Sequence, residues 1–245
     1  MSGSDGGAGS GPGVLAGARV QRVPALIGAV LAAFVLVEAL LLGLGLLITR
    51  VLDHSALQQQ EVAFEHEVLT HRTPLWNGLT RYGTVLGATT TVVALTAAGC
   101  LVLALRRHGP RLPLFLALAV AGETLLFLIA SVLLDRVRPP IPQLDAAPPT
   151  SSFPSGHTAA SIALWGGLAL GLARTRPGHR LRLLVGTLAV VVPLVVLLSR
   201  LYRGMHWPTD VAASVVFGLV WLLLLRAALL PAAAREEGGR RRLRR

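Results

Sequence analysis

A chain of 245 residues that is 53% hydrophobic and 14% charged, with a mean hydropathy of +0.64, is too apolar for a water-soluble domain and reads as an integral membrane protein. Its 23 basic residues, all arginine, stand against 12 acids; in such a chain the net charge of +11 marks topology and attraction to anionic lipid, and nucleic acid is excluded as a partner. Cys100 is the single cysteine and lies inside an apolar run, so no intrachain disulfide can form.

In chain order, residues 1 to about 18 are mostly Gly, Ser and Ala and cannot bury a core, so residues 1–24 are expected to be a disordered cytoplasmic N-terminus. Residues 25–230 are expected to form one transmembrane domain and residues 231–245 a basic cytoplasmic tail. Five runs approach or exceed the length needed to cross about 30 Å of hydrocarbon. They are Ala25–Thr49, Thr84–Leu105, Leu112–Leu134, Thr158–Ala173 and Val211–Leu230. A sixth, Leu183–Leu198, is short and carries Pro193, which neighbouring helices can accommodate. The expected fold is all-α, a bundle of six transmembrane helices. The first run exceeds a signal-peptide core and is read as an uncleaved anchor. Glu38 lies within it and must face a partner or a wet cavity.

Asp53–Tyr82 is the longest polar segment. Leu57, Phe64, Val68 and Leu69, with Glu61, Glu65 and Glu67 between them, predict a short amphipathic helix on the outer interface. His54, His66 and His71 make no compact ligand set and are read as solvent-exposed, as are His108 and His179 in the short basic loops. Glu123 sits in the middle of the third run, either as a functional group or as a satisfied interhelical contact.

The loop Asp135–Pro154 is stiffened by prolines, and Arg136 and Arg138, two residues apart on an extended segment, point the same way. It ends in Pro154, Ser155, Gly156 and His157 at a predicted helix start, where backbone N–H groups and a glycine make an anion cradle. Ser199–Asp210 is a cationic island between two apolar runs. Pro208 suits the first turn of a helix, placing Asp210 in that turn and His206 just outside it. A carboxylate four residues after a histidine can accept the proton of one ring nitrogen and leave the other free to attack. The same stretch also fits an interface loop with snorkelling arginines.

With six crossings, sixteen arginines fall on one side of the membrane and seven on the other. The positive-inside rule then makes both termini cytoplasmic and puts 136–139, 154–157 and 199–210 together on the extracytoplasmic face. Several guanidiniums, a helix mouth and two histidines there fit a phosphoryl group.

These segments resemble the type 2 phosphatidic acid phosphatase superfamily, whose motifs are K-x6-R-P, P-S-G-H and S-R-x5-H-x3-D. The second matches at Pro154–His157 and the third at Ser199, Arg200, His206 and Asp210. The first matches only at Arg138 and Pro139, because Ser131 stands where the lysine would fall. The resemblance spans roughly residues 25–230. It implies a membrane phosphatase acting on phosphatidic acid, phosphatidylglycerol phosphate or a polyprenyl diphosphate, with no metal and no cofactor. In that reading His206 is the nucleophile, Asp210 orients it, and His157 is the acid and then the base. Arg138, Arg200 and the N–H groups around Ser155 and Gly156 would hold the phosphate oxygens. Arg136 and Arg203 are the candidates to replace the missing lysine, with Arg136 favoured because it lies two residues before Arg138. The departure at Ser131 leaves open a relative that binds lipid phosphate without turnover; a small transporter, with Glu38 and Glu123 as coupling groups, is the third reading.

Overall fold

The computed structural model describes residues 22–52, 55–175 and 177–230. The expected disordered N-terminus up to residue 21, His54 and the basic tail 231–245 lie outside them. Eight α-helices account for most of the described residues, with no strand among them. They are α1 Arg22–Leu46, continued by a π-helical turn Leu47–Val51, α2 Ala56–Thr70, α3 Pro74–Val85 and α4 Thr89–Leu105. After these come α5 Arg111–Leu133, α6 Gly156–Leu172, α7 His179–Tyr202 and α8 Pro208–Leu229. The apolar runs become helices because hydrocarbon offers no partner to a backbone N–H or C=O, so each must be satisfied within its own segment.

The protein is a multi-pass membrane protein. The α1 segment Val23–Val51, α5, α7 and α8 are each long and apolar enough to cross a membrane. A fifth crossing is made if α3 and α4, bent by 44°, count as one broken span. With 17 residues α6 is about 25 Å long at about 1.5 Å per residue, so length and apolarity support four or five of the six crossings read from the sequence. Pro193 lies inside a continuous α7, as expected. The run Thr84–Leu105, by contrast, is not one helix. It breaks after Val85, and at the break Gly87 comes so close to α6 that a Cβ would stand 2.8 Å from the His157 carbonyl oxygen.

Lipid is as apolar as leucine, so the bundle is held by close packing and not by withdrawal of hydrocarbon from water. Leu41 of α1, Phe115 and Leu126 of α5, and Phe217, Trp221 and Leu225 of α8 form the core with Phe153 from the loop that precedes α6. Gly122 allows a close approach, since a Cβ there would lie 2.2 Å from the Trp221 ring, whose Nε1 donates to the Ala119 carbonyl at 2.9 Å. Phe153 is fully buried and pins the loop to the helices, which fixes where α6 begins.

The amphipathic helix exists as α2 but faces the opposite way from the simplest reading of its pattern. Glu61 and Glu65 are buried, whereas Leu57 and Phe64 are exposed. The reason lies in what each face meets. Glu61 accepts from Arg136 Nη2 at 2.8 Å and from Thr209 N at 2.8 Å, cationic and polar groups that belong to distant parts of the chain. The apolar side is left to a surface where lipid is the solvent.

Glu65 has no hydrogen-bond partner among the described residues. Burial raises its pKa from 4.5 to about 8, with Arg72 opposing and Glu61 and Asp210 adding to the rise. The folded protein therefore holds a proton there that the unfolded chain has released between about pH 4.5 and 8, so stability falls as pH rises through that window. Glu65→Gln should flatten this dependence. Melting of the detergent-solubilised protein from pH 5 to 9 should show the variant gaining on the wild type as pH rises, at roughly 2–4 °C per kcal/mol for a chain of this size. Parallel curves would remove Glu65 from the account.

Candidate active site

The stretch after α7 is folded tightly. Gly204 takes φ +68°, a left-handed turn that a side chain would resist, and it lies so close to Ile141 that a Cβ would stand 2.9 Å away. Pro208 opens α8 and Asp210 sits in its first turn, accepting from the Trp207 N–H at 2.9 Å. His206 is held between the two helices and is buried.

The partner of His206 differs from the one its spacing predicts. Asp210 Oδ2 is 3.9 Å from Nδ1, beyond hydrogen-bond reach, while the Ser152 carbonyl oxygen is 2.7 Å away. A carbonyl can only accept, so Nδ1 carries the proton and Nε2 is left bare. Both Asp210 oxygens are occupied otherwise. Oδ1 pairs with Arg136 Nη1, and Oδ2 accepts from Ser152 Oγ at 2.5 Å and from Trp207 N. Asp210 thus acts on the histidine through Ser152. Burial first, and then the charges of Arg200 and Arg138, depress the His206 pKa well below its ordinary value. The ring is neutral at physiological pH.

The arginines divide into two groups. Arg138 donates to the Met205 carbonyl at 2.6 Å and so braces the turn that carries His206. Arg200 Nη1 donates to Thr84 Oγ1 at 2.7 Å and to Asp145 Oδ2 at 2.9 Å, while its Nε is buried without a partner among the described residues. Arg203 grips Asp145 with both Nε (2.8 Å) and Nη2 (2.6 Å) and reaches α3 through Thr80 Oγ1. Burial works against ionisation of Asp145, but the hydrogen bond and charges of Arg203 and Arg200 keep its carboxyl below the usual range.

Arg136 does not line the cavity in which Arg138 meets the histidines. Its Nη2 bonds Glu61, its Nη1 bonds Asp210 and Thr209 Oγ1, and its guanidinium lies 5.5 Å from the Trp207 ring centroid. It lines a cavity of about 340 Å³ that contains neither histidine. Both of its Nη groups are taken by buried carboxylates, which makes its role one of support in place of the phosphate contact expected. Ser131 is buried, with Oγ donating to the Leu128 carbonyl at 3.0 Å.

Ser155 is likewise corrected. Its N–H donates to Ser214 Oγ at 2.8 Å, its Oγ pairs with Thr158 Oγ1 at 3.0 Å, and it is fully buried. Gly156 and His157, the first residues of α6, do face the open space. That space is a cavity of about 690 Å³ where Arg138, His157, Arg200 and His206 meet, brought from three separate segments. It continues between α4, α5 and α6 past Val92, Val120 and Phe127 to Glu123. Glu38, buried in α1, does not line it. His66, His71, His108 and His179 are exposed, as read from the sequence.

Ser152, Asp145 and Glu61 were not legible as site residues. Ser152 works largely through a backbone carbonyl, which carries no sequence signal. Asp145 had one weak signal, an acid in a loop flanked by arginine clusters.

Residues 112–231 match the model of the PAP2 superfamily. The described fold is similar to the crystal structure of the first transmembrane PAP2-type phosphatidylglycerolphosphate phosphatase from Bacillus subtilis. The TM-score is 0.67 at 24% identity, over 81% of this chain and 92% of that one, a likeness of fold. Comparison with curated proteins gives no match. The matched region contains Arg138 and Pro139, the whole of Pro154–His157 and the whole of Ser199–Asp210, and through it the chain belongs to the PAP2 superfamily.

Proposed function

We propose that this protein is a membrane phosphatase that hydrolyses a lipid phosphomonoester or diphosphate through a phosphohistidine on His206, at a site on the extracytoplasmic face. The observation that carries the reading is the convergence of His206, His157, Arg138 and Arg200 on one cavity, with His206 Nδ1 held by Ser152 and its ring neutral. Phosphatidylglycerol phosphate, the substrate in the name of the similar Bacillus subtilis protein, is one member of the substrate class.

Arg138, Arg200 through its unpartnered Nε, and the N–H groups at the mouth of α6 hold the phosphate oxygens. His206 Nε2 attacks phosphorus, and the bond to the leaving oxygen breaks as His157 gives that oxygen a proton. His157 then takes a proton from water, whose oxygen attacks phosphorus; the P–N bond breaks, returning neutral His206 and free phosphate. As charge builds on the imidazole, its Nδ1–H bond to Ser152 strengthens, and Asp210 keeps Ser152 in place. Arg136 and Glu61 act only by holding Asp210 and α8.

His206→Ala should abolish phosphate release from phosphatidic acid in detergent and eliminate an acid-labile, base-stable phosphoenzyme formed on labelled substrate. Asp210→Asn should reduce kcat on the order of 10²-fold, as loss of a group that orients a catalytic histidine does. Full turnover by His206→Ala overturns the mechanism.

Arg136→Ala separates support from substrate binding. Leaving Glu61 and Asp210 buried without their cation should destabilise the protein by about 3–5 kcal/mol, read as a lower melting temperature. A variant of unchanged melting temperature and raised KM would instead make Arg136 a substrate ligand.

The arginine bias supplies the orientation. A cysteine introduced at Thr150 should react with a membrane-impermeant reagent from outside intact cells, and one at Gly178 should not. The reverse pattern turns the site to the cytoplasm.

A further inference from the structure

Glu123 is 1% exposed in the middle of α5, among groups that give it almost nothing. Its Oε1 has no hydrogen-bond partner among the described residues, and Oε2 has only Thr124 Oγ1 at 3.5 Å. It lines the cavity together with Val92, Val120, Phe127 and Ala160, and the nearest polar group given to it is Thr124. An unpartnered polar group in such a place costs about 1–3 kcal/mol even when uncharged. Apolar replacement would remove that cost, so a carboxyl facing the substrate cavity calls for a ligand that completes its hydrogen bonds.

The depth of Glu123 identifies what that ligand offers. Gly156, at the phosphate end, lies against Phe127: a Cβ on it would be 3.0 Å from that ring. Glu123 is one helical turn further along α5, about 6 Å deeper by helix rise. In a glycerol-based phospholipid the backbone and ester oxygens follow within a few bonds of the phosphate, a reach of roughly 4–7 Å at about 1.5 Å per bond. A phosphate on a bare hydrocarbon chain has only methylene or methyl groups at that depth.

We infer that Glu123 is a specificity residue of this cavity, its carboxyl hydrogen-bonding an uncharged oxygen of a glycerol backbone, so that glycerol-based lipid phosphates are taken in preference to phosphates on bare hydrocarbon chains. The inference rests on the lipid-phosphatase reading above. Glu123 touches the leaving group, not the reacting atoms, so its loss shows in KM more than in kcat.

The test compares dioleoyl phosphatidic acid with oleyl phosphate, both phosphomonoesters of a primary alcohol, in mixed micelles. Wild-type protein should prefer phosphatidic acid. Glu123→Met, which keeps the side chain's length and removes its oxygens, should lower kcat/KM for phosphatidic acid about tenfold, mainly through KM. The same variant should leave oleyl phosphate within about twofold, and Glu123→Gln, which still donates, should retain most of the wild-type preference. Equal losses on both substrates, an unchanged preference in Glu123→Met, or a wild-type preference for oleyl phosphate overturns the inference while leaving the phosphatase reading intact. The wild-type comparison decides even if a variant does not fold. Wild-type protein inactive on both substrates removes the phosphatase reading and this inference with it.

Discussion

Asp210 is a fully buried carboxylate, and the site is arranged around keeping it charged. Burying an anion without compensation is prohibitive, so Arg136 must be brought from the other end of a proline-rich loop to meet it. The Arg136 guanidinium still has donors on Nη2 to satisfy, and Glu61 of α2 takes them while also capping Thr209 at the start of α8. One ion therefore ties three distant segments together. Its remaining oxygen fixes Ser152, and Ser152 fixes the tautomer of His206. The orientation of His206 depends on a chain of contacts in which no member except the last touches it.

A second charged centre does comparable work on the other side of the cavity. Asp145 bridges Arg200 and Arg203. Arg203 continues to α3, and its carbonyl accepts from the Leu144 N–H at 3.1 Å. The loop 135–154, which has no regular structure of its own, is thereby held near its end by Phe153 in the core and at its middle by Asp145, which pairs with Arg203 at the end of α7. Both centres lie where the helices meet the polar end of the bundle, and here ion pairs supply the rigidity that apolar packing supplies deeper down.

The cavity joins these two environments. Its mouth holds guanidiniums and imidazoles, and its walls between the helices are largely hydrocarbon, with Glu123 the one charged-type residue among them. A ligand with an anionic head and an apolar tail would satisfy both ends at once, with the tail entering between α4, α5 and α6 from the membrane side. The bend between α3 and α4, where Gly87 meets the His157 backbone, brings the wall of that groove against the N-terminal end of α6.

The sequence by itself determined the membrane class, the helical content, a helix start close after Pro154, the start of α8 at Pro208, and the candidate residues His157, His206, Arg138 and Arg200. These follow from local causes: runs of apolar residues long enough to need internal hydrogen bonding, a proline that suits a first turn, and motif spacing. Only the tertiary structure decided who partners whom. The i,i+4 spacing placed Asp210 near His206, but Arg136, Ser152 and Trp207 compete for the same two oxygens and leave Nδ1 to a backbone carbonyl. The alternation that aimed Arg136 alongside Arg138 yielded to the stronger demand of two buried carboxylates. The pattern of α2 was readable as amphipathic, yet which face turned inward depended on a cation some 75 residues away in the chain. Local periodicity places a side chain on a face; the charges that face will meet are fixed by packing between segments far apart in sequence.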